Sequence, residues 1–161
     1  MPPHREQRAG PGDDGVRRIH HVGITVADLD RSLVFYRDLL GMAVLGRSDD
    51  EDVGAIVGLP GARVRAADLD AGNGQLVELL EYGSPNGDRG AYGPDTVGSC
   101  HLSLQVADLR SALSRLAGGG FMPAGQPARL TEGGVWQDCT VVYLRDPDGV
   151  FVELIERGAG G

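Results

Sequence analysis

The sequence contains no lysine; all 15 of its basic side chains are arginine. Schiff-base chemistry and a phosphate-loop lysine are thereby excluded. Its two cysteines, Cys100 and Cys139, form neither a disulfide framework nor a metal-type spacing, and both read as reduced and structural. No apolar run exceeds the length of a strand, so no transmembrane helix is expected. Residues 1–16 carry Pro2, Pro3 and Pro11 and no apolar stretch between their charges. They lack the form of a signal peptide and read as a disordered leader, with the cytoplasm as the expected location. Arginine is nowhere concentrated and the net charge is -8, so there is no nucleic-acid footprint. The acidic balance serves solubility. The expected partner is a small molecule rather than a nucleic acid or a membrane.

What the sequence does have is a repeat. The stretch from His20 to Leu29, HHVGITVADL, returns from Cys100 to Leu109 as CHLSLQVADL. Each copy is a histidine followed by alternating apolar residues, the pattern of a half-buried strand, and then Val-Ala-Asp-Leu. Asp28 and Asp108 stand where a following helix needs its N-cap. The first helix is expected over Asp30 to Leu40, with Leu33, Val34, Tyr36 or Arg37 and Leu40 on one face and Gly41 as a stop. The second is expected over Arg110 to Ala117, with Leu109, Ala112, Leu113 and Leu116 facing inward and Gly118-Gly119-Gly120 ending it. Each copy then closes on a matching strand, GQLVELLE from Gly74 and GVFVELIE from Gly149, preceded by the turns Ala71–Gly74 and Asp146–Gly149. The implied organisation is a leader (1–16), a first module (17–82), a Gly/Pro/Asp/Asn-rich linker that can serve as a lid (83–99), a second module (100–157) and a short tail (158–161).

The chemistry follows from polar residues in apolar surroundings. Glu78 lies in Leu76-Val77-Glu78-Leu79-Leu80 and Glu153 in Phe151-Val152-Glu153-Leu154-Ile155. A carboxylate in a buried strand is costly unless it is paired or coordinated. One such glutamate is explained by an edge strand facing water; two at equivalent positions, each with a strand-borne histidine, point to a metal. The repeat aligns His101 with His21 and Cys100 with His20, so His21 is the candidate ligand and His20 points to the opposite face. His4 belongs to the leader. Two imidazoles and two carboxylates suit one divalent ion per site, with Zn, Ni, Co, Mn and Fe(II) all open. Such an ion acts as a Lewis acid on a carbonyl substrate, and Glu78 or Glu153, released from it, is the candidate base.

Residues His21–Leu29, Ser32–Met42, Val77–Glu81, His101 with Val106–Leu109, and Arg145–Gly149 running into Glu153–Glu156 together resemble the vicinal oxygen chelate superfamily, the glyoxalase/bleomycin-resistance/dioxygenase group. The resemblance spans about residues 17 to 157. It implies an α+β fold of two tandem βαβββ modules forming a curved, half-open mixed sheet around a metal cleft, commonly in a homodimer. The ligand set His21, Glu78, His101 and Glu153 looks like that of glyoxalase I, which implies a lyase or isomerase of the glyoxalase/epimerase type. Two alternatives share the fold: an Fe(II) extradiol-type dioxygenase or other oxidative tailoring enzyme, in which the position of Glu78 carries no ligand, and a non-catalytic resistance protein that sequesters an aromatic natural product. Glyoxalase I carries an arginine four residues after its first ligand, where it helps hold glutathione; Thr25 stands there, which argues against lactoylglutathione as the substrate. Candidate substrate contacts are Trp136 in the loop Thr131–Asp138, Tyr92 with Tyr82, Asn86 and Arg89 around the linker, and Arg65 in Arg63-Val64-Arg65, which suits an anionic substrate.

Overall fold

The computed structural model describes residues 16–83, 92–131, 133–134 and 136–158. Nearly all of the leader, most of the linker, including Asn86 and Arg89, and the last three residues lie outside them. The elements run β1 (His21–Thr25), α1 (Leu29–Leu33) continuing as a π-helical segment (Val34–Leu39), β2 (Ala43–Asp52), α2 (Gly54–Val57), β3 (Arg63–Asp70) and β4 (Leu76–Tyr82). There follow β5 (His101–Val106), α3 (Leu109–Gly118), β6 (Ala128–Leu130), β7 (Cys139–Arg145) and β8 (Phe151–Arg157). They make two four-stranded mixed sheets with the same order, β1-β4-β3-β2 and β5-β8-β7-β6. In each, the first strand lies parallel to the last and the remaining pairs are antiparallel. The fold is α+β, and neither sheet closes into a barrel.

Both long helices start as their sequences dictate. The Asp28 carboxylate accepts from Arg31 N at 2.9 Å and that of Asp108 from Ser111 N at 2.9 Å, each satisfying one of the donors a helix start leaves open. A second carboxylate reaches each start from the sheet. Glu81 Oε2 accepts from Leu29 N at 2.6 Å and Glu156 Oε2 from Leu109 N at 2.5 Å. A negative group there also complements the helix dipole.

The first helix departs from simple periodicity. Its second half widens, with Leu40 N donating to Phe35 O, and Gly41 follows in a left-handed conformation at φ +83°. The wide turn lets Phe35 and Tyr36, adjacent in sequence, both sit fully buried, whereas Val34 is 46% exposed. The inward residue is thus Phe35 rather than Val34, because a π-turn shifts the facing positions.

The strand residues Ile24, Ala67, Leu69, Val77 and Leu79 belong to the same contiguous core as Val142, Leu144, Val152 and Leu154, joined through the helices by Phe35, Ala112 and Leu116. By strand alternation they all lie on the helix-covered faces of the sheets. The two halves therefore pack through their helix-covered faces. Phe35 and Phe121 stack edge to face at 4.8 Å between ring centres, and Arg115 Nε donates to Leu39 O at 3.2 Å.

A polar clamp completes the join. The hydroxyl of Tyr36 donates to buried Asp146 Oδ2 at 2.9 Å, while Asp146 Oδ1 accepts from Asp148 N and Val150 N. Ala27 N donates to Asp148 Oδ2 at 3.1 Å and Arg31 Nη2 to Asp148 Oδ1 at 2.5 Å. Burial pushes the Asp146 carboxyl up, and burial together with Asp146 holds the Tyr36 hydroxyl well above its usual range, so it stays a donor.

Candidate metal centre

The faces turned away from the helices carry the polar residues of interest. In β1 that face presents His21, Gly23 and Thr25, all exposed, and the parallel partner β4 sets Glu78 level with Gly23. His21 Nε2 lies 3.3 Å from Glu78 Oε2. Both side chains remain open, at 43% and 29% exposure, so the pair can take a further ligand. His20 Nδ1 stands 2.9 Å from His21 Nδ1 with the rings edge to face. That contact occupies one ring nitrogen of His21 and leaves Nε2 toward Glu78. Alternation alone misses this, because His20 sits just before β1, where the alternation of β1 does not govern its ring. Across the next strand, exposed Asp68 pairs in register with Glu78.

The second sheet repeats the arrangement with different neighbours. His101 on β5 and Glu153 on β8 approach at 3.8 Å between Nε2 and Oε2. Ser103, opposite Glu153 in register, donates its hydroxyl to Glu153 Oε2 at 2.7 Å. Tyr143 faces Glu153 from β7, and its hydroxyl lies 3.2 Å from His101 Nε2. Burial first, and then the Glu153 charge, push the Tyr143 hydroxyl above its usual range, so it remains protonated and donates. Glu153 is correspondingly the more enclosed glutamate, 8% exposed. Ser103 and Tyr143 escape a motif search, but the register exposes them: Tyr143 and Glu153 are each five residues from Asp148 in the turn, and Ser103 follows His101 by two residues on one strand face.

A cavity of about 140 Å³ adjoins this second pair, lined by Pro94, Ser99, Cys100, His101, Tyr143 and Phe151. Tyr92 reaches its surroundings: its ring meets Phe151 at 6.4 Å, and its carbonyl accepts from Arg145 Nη2 at 2.8 Å. The Arg145 guanidinium in turn lies over the Phe151 ring at 3.9 Å. Trp136 stands half-exposed in the turn before β7, and among the described residues no hydrogen bond or ring contact joins it to either His–Glu pair. Arg65 occupies the helix-covered face of β3, opposite to Asp68, and forms ion pairs with Asp30, Glu81 and Asp49. The structure does not bring it to His21 and Glu78. Cys100 and Cys139 are both free thiols, the first exposed and the second buried.

The four candidate ligands thus form two pairs, one on each sheet. Among the described residues no group of three or more His, Cys, Asp or Glu gathers in a metal-holding arrangement. The donor set of each pair, an open imidazole nitrogen facing a carboxylate oxygen, fits half the shell of a borderline divalent ion. The hydroxyl that Ser103 gives Glu153 is the sort of outer contact that orients a ligating carboxylate.

Comparison with known proteins agrees with this architecture. A 2-epi-5-epi-valiolone epimerase from Actinomyces sp. is 31% identical, covering 94% of this chain and 85% of the relative. The lactoylglutathione lyase of Haemophilus influenzae is 29% identical over 87% of this chain and 93% of its own length. The crystal structure of a glyoxalase family protein from Bacillus cereus superposes with a TM-score of 0.80 at 22% identity, covering 92% of this chain and all of that one. The family model described as the Glyoxalase/Bleomycin resistance protein/Dioxygenase superfamily matches residues 18–154. With nearly the whole described chain inside that match and both sheets in its architecture, the protein belongs to the Glyoxalase/Bleomycin resistance protein/Dioxygenase superfamily.

Proposed function

We propose that this protein is a divalent-metal-dependent isomerase that epimerises a carbon next to the carbonyl of a small polyhydroxylated ketone, at a site completed by two copies of the chain. One observation carries the reading: equivalent His–Glu pairs stand on the open faces of two sheets whose other faces share one core. With their helix-covered faces buried against each other, the pairs are turned outward. A second chain, related by a two-fold axis, offers His101 and Glu153 to the His21 and Glu78 of the first.

A bound divalent ion supplies Lewis acidity, which makes a C–H bond beside a carbonyl acidic. His21, Glu78, His101 and Glu153 are the residues that would hold it. A site glutamate takes the proton as the C–H electrons pass to the carbonyl oxygen, and return of a proton to the opposite face gives the epimer. Exposed Thr25 on the His21 face supports a neutral polyol rather than a glutathione conjugate. The 31% identity to a protein named as an epimerase of a cyclic polyol ketone points the same way.

The test is 2-epi-5-epi-valiolone with Co²⁺- or Ni²⁺-loaded protein in D2O, followed by NMR. Deuterium entering beside the carbonyl with formation of an epimer is the expected result. Turnover of the methylglyoxal–glutathione adduct instead makes the protein a lyase, and activity toward neither removes the proposed substrate class. Co-refolding His21→Ala with His101→Ala tests the shared site separately. Random pairing into two-fold dimers restores metal binding at about a quarter of the sites, whereas a site within one chain restores none.

A further inference from the structure

On the helix-covered side of each sheet, corresponding positions surround the start of the long helix, and the two halves fill them differently. Register fixes the correspondence. Arg65 pairs with Glu81 as Thr140 pairs with Glu156. Ser48 pairs with Ala66 as Ala128 pairs with Val141, which sets Pro127 where Arg47 stands. Along the helix, the repeat matches Leu29, Asp30 and Leu33 with Leu109, Arg110 and Leu113. In the first half two arginines occupy the space among these groups. Arg65 spans Asp30 and Glu81 at 2.9 and 3.0 Å, and Arg47 reaches Asp30 at 2.9 Å. In the second half proline and threonine replace them. There a cavity of about 380 Å³ opens, lined by Leu109, Arg110, Leu113, Pro127, Thr140 and Glu156.

The charges left around that cavity are unmatched. Glu156 keeps its counterpart's contact, accepting from Leu109 N at 2.5 Å as Glu81 does from Leu29 N at 2.6 Å. Glu81 also has the Arg65 guanidinium, whereas among the described residues no cation forms an ion pair with Glu156. Arg110 stands in place of Asp30 and, among the described residues, forms no ion pair either; it acts on Asp108 only through its field. A carboxylate and a guanidinium thus flank one opening whose remaining wall is largely apolar.

We propose that this cavity is a binding site for a small apolar α-amino acid, with its ammonium on Glu156, its carboxylate on Arg110 and its side chain against Leu113 and Pro127. In the first half a single guanidinium bridges the two equivalent positions, so one small polar group spans them. A lone cation would be repelled by Arg110 and a lone anion by Glu156; a zwitterion gives each a charge-assisted partner. The volume falls within the roughly 300–1,000 Å³ usual for ligand pockets. Bound there, the ligand makes for the second half the link from helix start to sheet that Arg65 makes for the first. By strand alternation Thr140 and Glu156 lie on the face opposite to Tyr143 and Glu153, so the site is separate from the His–Glu pairs and independent of the metal.

The experiment is calorimetric titration of the full chain, in the presence of a chelator, with L-leucine and L-phenylalanine, alongside thermal unfolding. Binding and a rise in melting temperature are expected for at least one of them. Two fragments of leucine, 4-methylpentanoate without the ammonium and 3-methylbutylamine without the carboxylate, are expected to bind about tenfold more weakly or worse. Arg110 is exposed, so Arg110→Ala leaves the fold intact and is expected to weaken binding by about the same factor. Thr140→Arg combined with Arg110→Asp rebuilds the first half's set, fills the cavity and is expected to abolish binding. No binding of either amino acid, equal binding of a leucine fragment, or wild-type affinity in Arg110→Ala overturns the proposal. With no metal present, each of these results leaves the metal-dependent reading untouched.

Discussion

The two sheets share a strand order and a His–Glu pair, yet their closing turns do different jobs. The turn between β7 and β8 carries Asp146 and Asp148, which reach across to Tyr36, Ala27 and Arg31 of the first half. The turn between β3 and β4 keeps to itself: among the described residues the Asp70 carboxylate accepts from Gly72 N within its own turn, at 2.7 Å. Beside that turn a cavity of about 330 Å³ opens, lined by residues including Met42, Ala71, Gly72 and Gln105. Duplication thus supplied one scaffold twice, and divergence made one turn a clamp and left the other short of its neighbour.

Breaking the clamp is expected to give the largest effect. Asp146→Ala leaves the buried Tyr36 hydroxyl and two backbone N–H groups without their acceptor and is expected to lower stability by about 3 kcal/mol or more. The matching change in the first turn, Asp70→Ala, is expected to cost under about 1 kcal/mol, because its partner is exposed and local. Urea unfolding of both variants measures the contrast, and equal losses would abolish the distinction between the turns.

A middle-sized effect tests the feature the halves do share. Glu81→Gln and Glu156→Gln each replace a charged acceptor at a helix start by a neutral one. Each is expected to cost about 0.5–1 kcal/mol, with Glu81→Gln the larger of the two because Glu81 also pairs with Arg65.

The smallest effect is in pH dependence. Burial raises the Asp146 carboxyl in the folded protein, so the native state keeps that proton at pH values where the unfolded chain has released it. The stability this proton contributes is fully present below the ordinary carboxylate range and is lost as pH rises through the raised folded value. The difference in stability between wild type and Asp146→Asn should therefore shift with pH in that window, and a flat difference would show that Asp146 titrates normally. Exposed Asp30, Asp38 and Asp50, held low by their arginines, act in the opposite direction but cancel in the difference.

Much of this was legible beforehand. The repeat, the N-caps Asp28 and Asp108, both closing turns and the pairing of His21 with Glu78 and His101 with Glu153 follow from short-range patterns, since parallel neighbours in a βαβββ unit recur at matching places in each copy. Glu81 and Glu156 were visible only as the matching last residues of GQLVELLE and GVFVELIE, because their role depends on where the helix start docks. Arg65 read as a candidate for an anionic substrate; the fold sets it on the helix side among carboxylates, a matter of strand parity relative to a core that a single strand does not define.

The sequence by itself determined the local units: which residues form each strand, where each helix begins, and which histidine shares a sheet with which glutamate. These depend on period, capping and proximity along the chain. Only the tertiary structure decided that the halves join through their helix-covered faces and that the two pairs look outward. It also decided that Glu153 is enclosed by Ser103 and Tyr143 while Glu78 is not. Those outcomes depend on register between strands and on which apolar faces bury each other, and such long-range choices are made by the whole core at once.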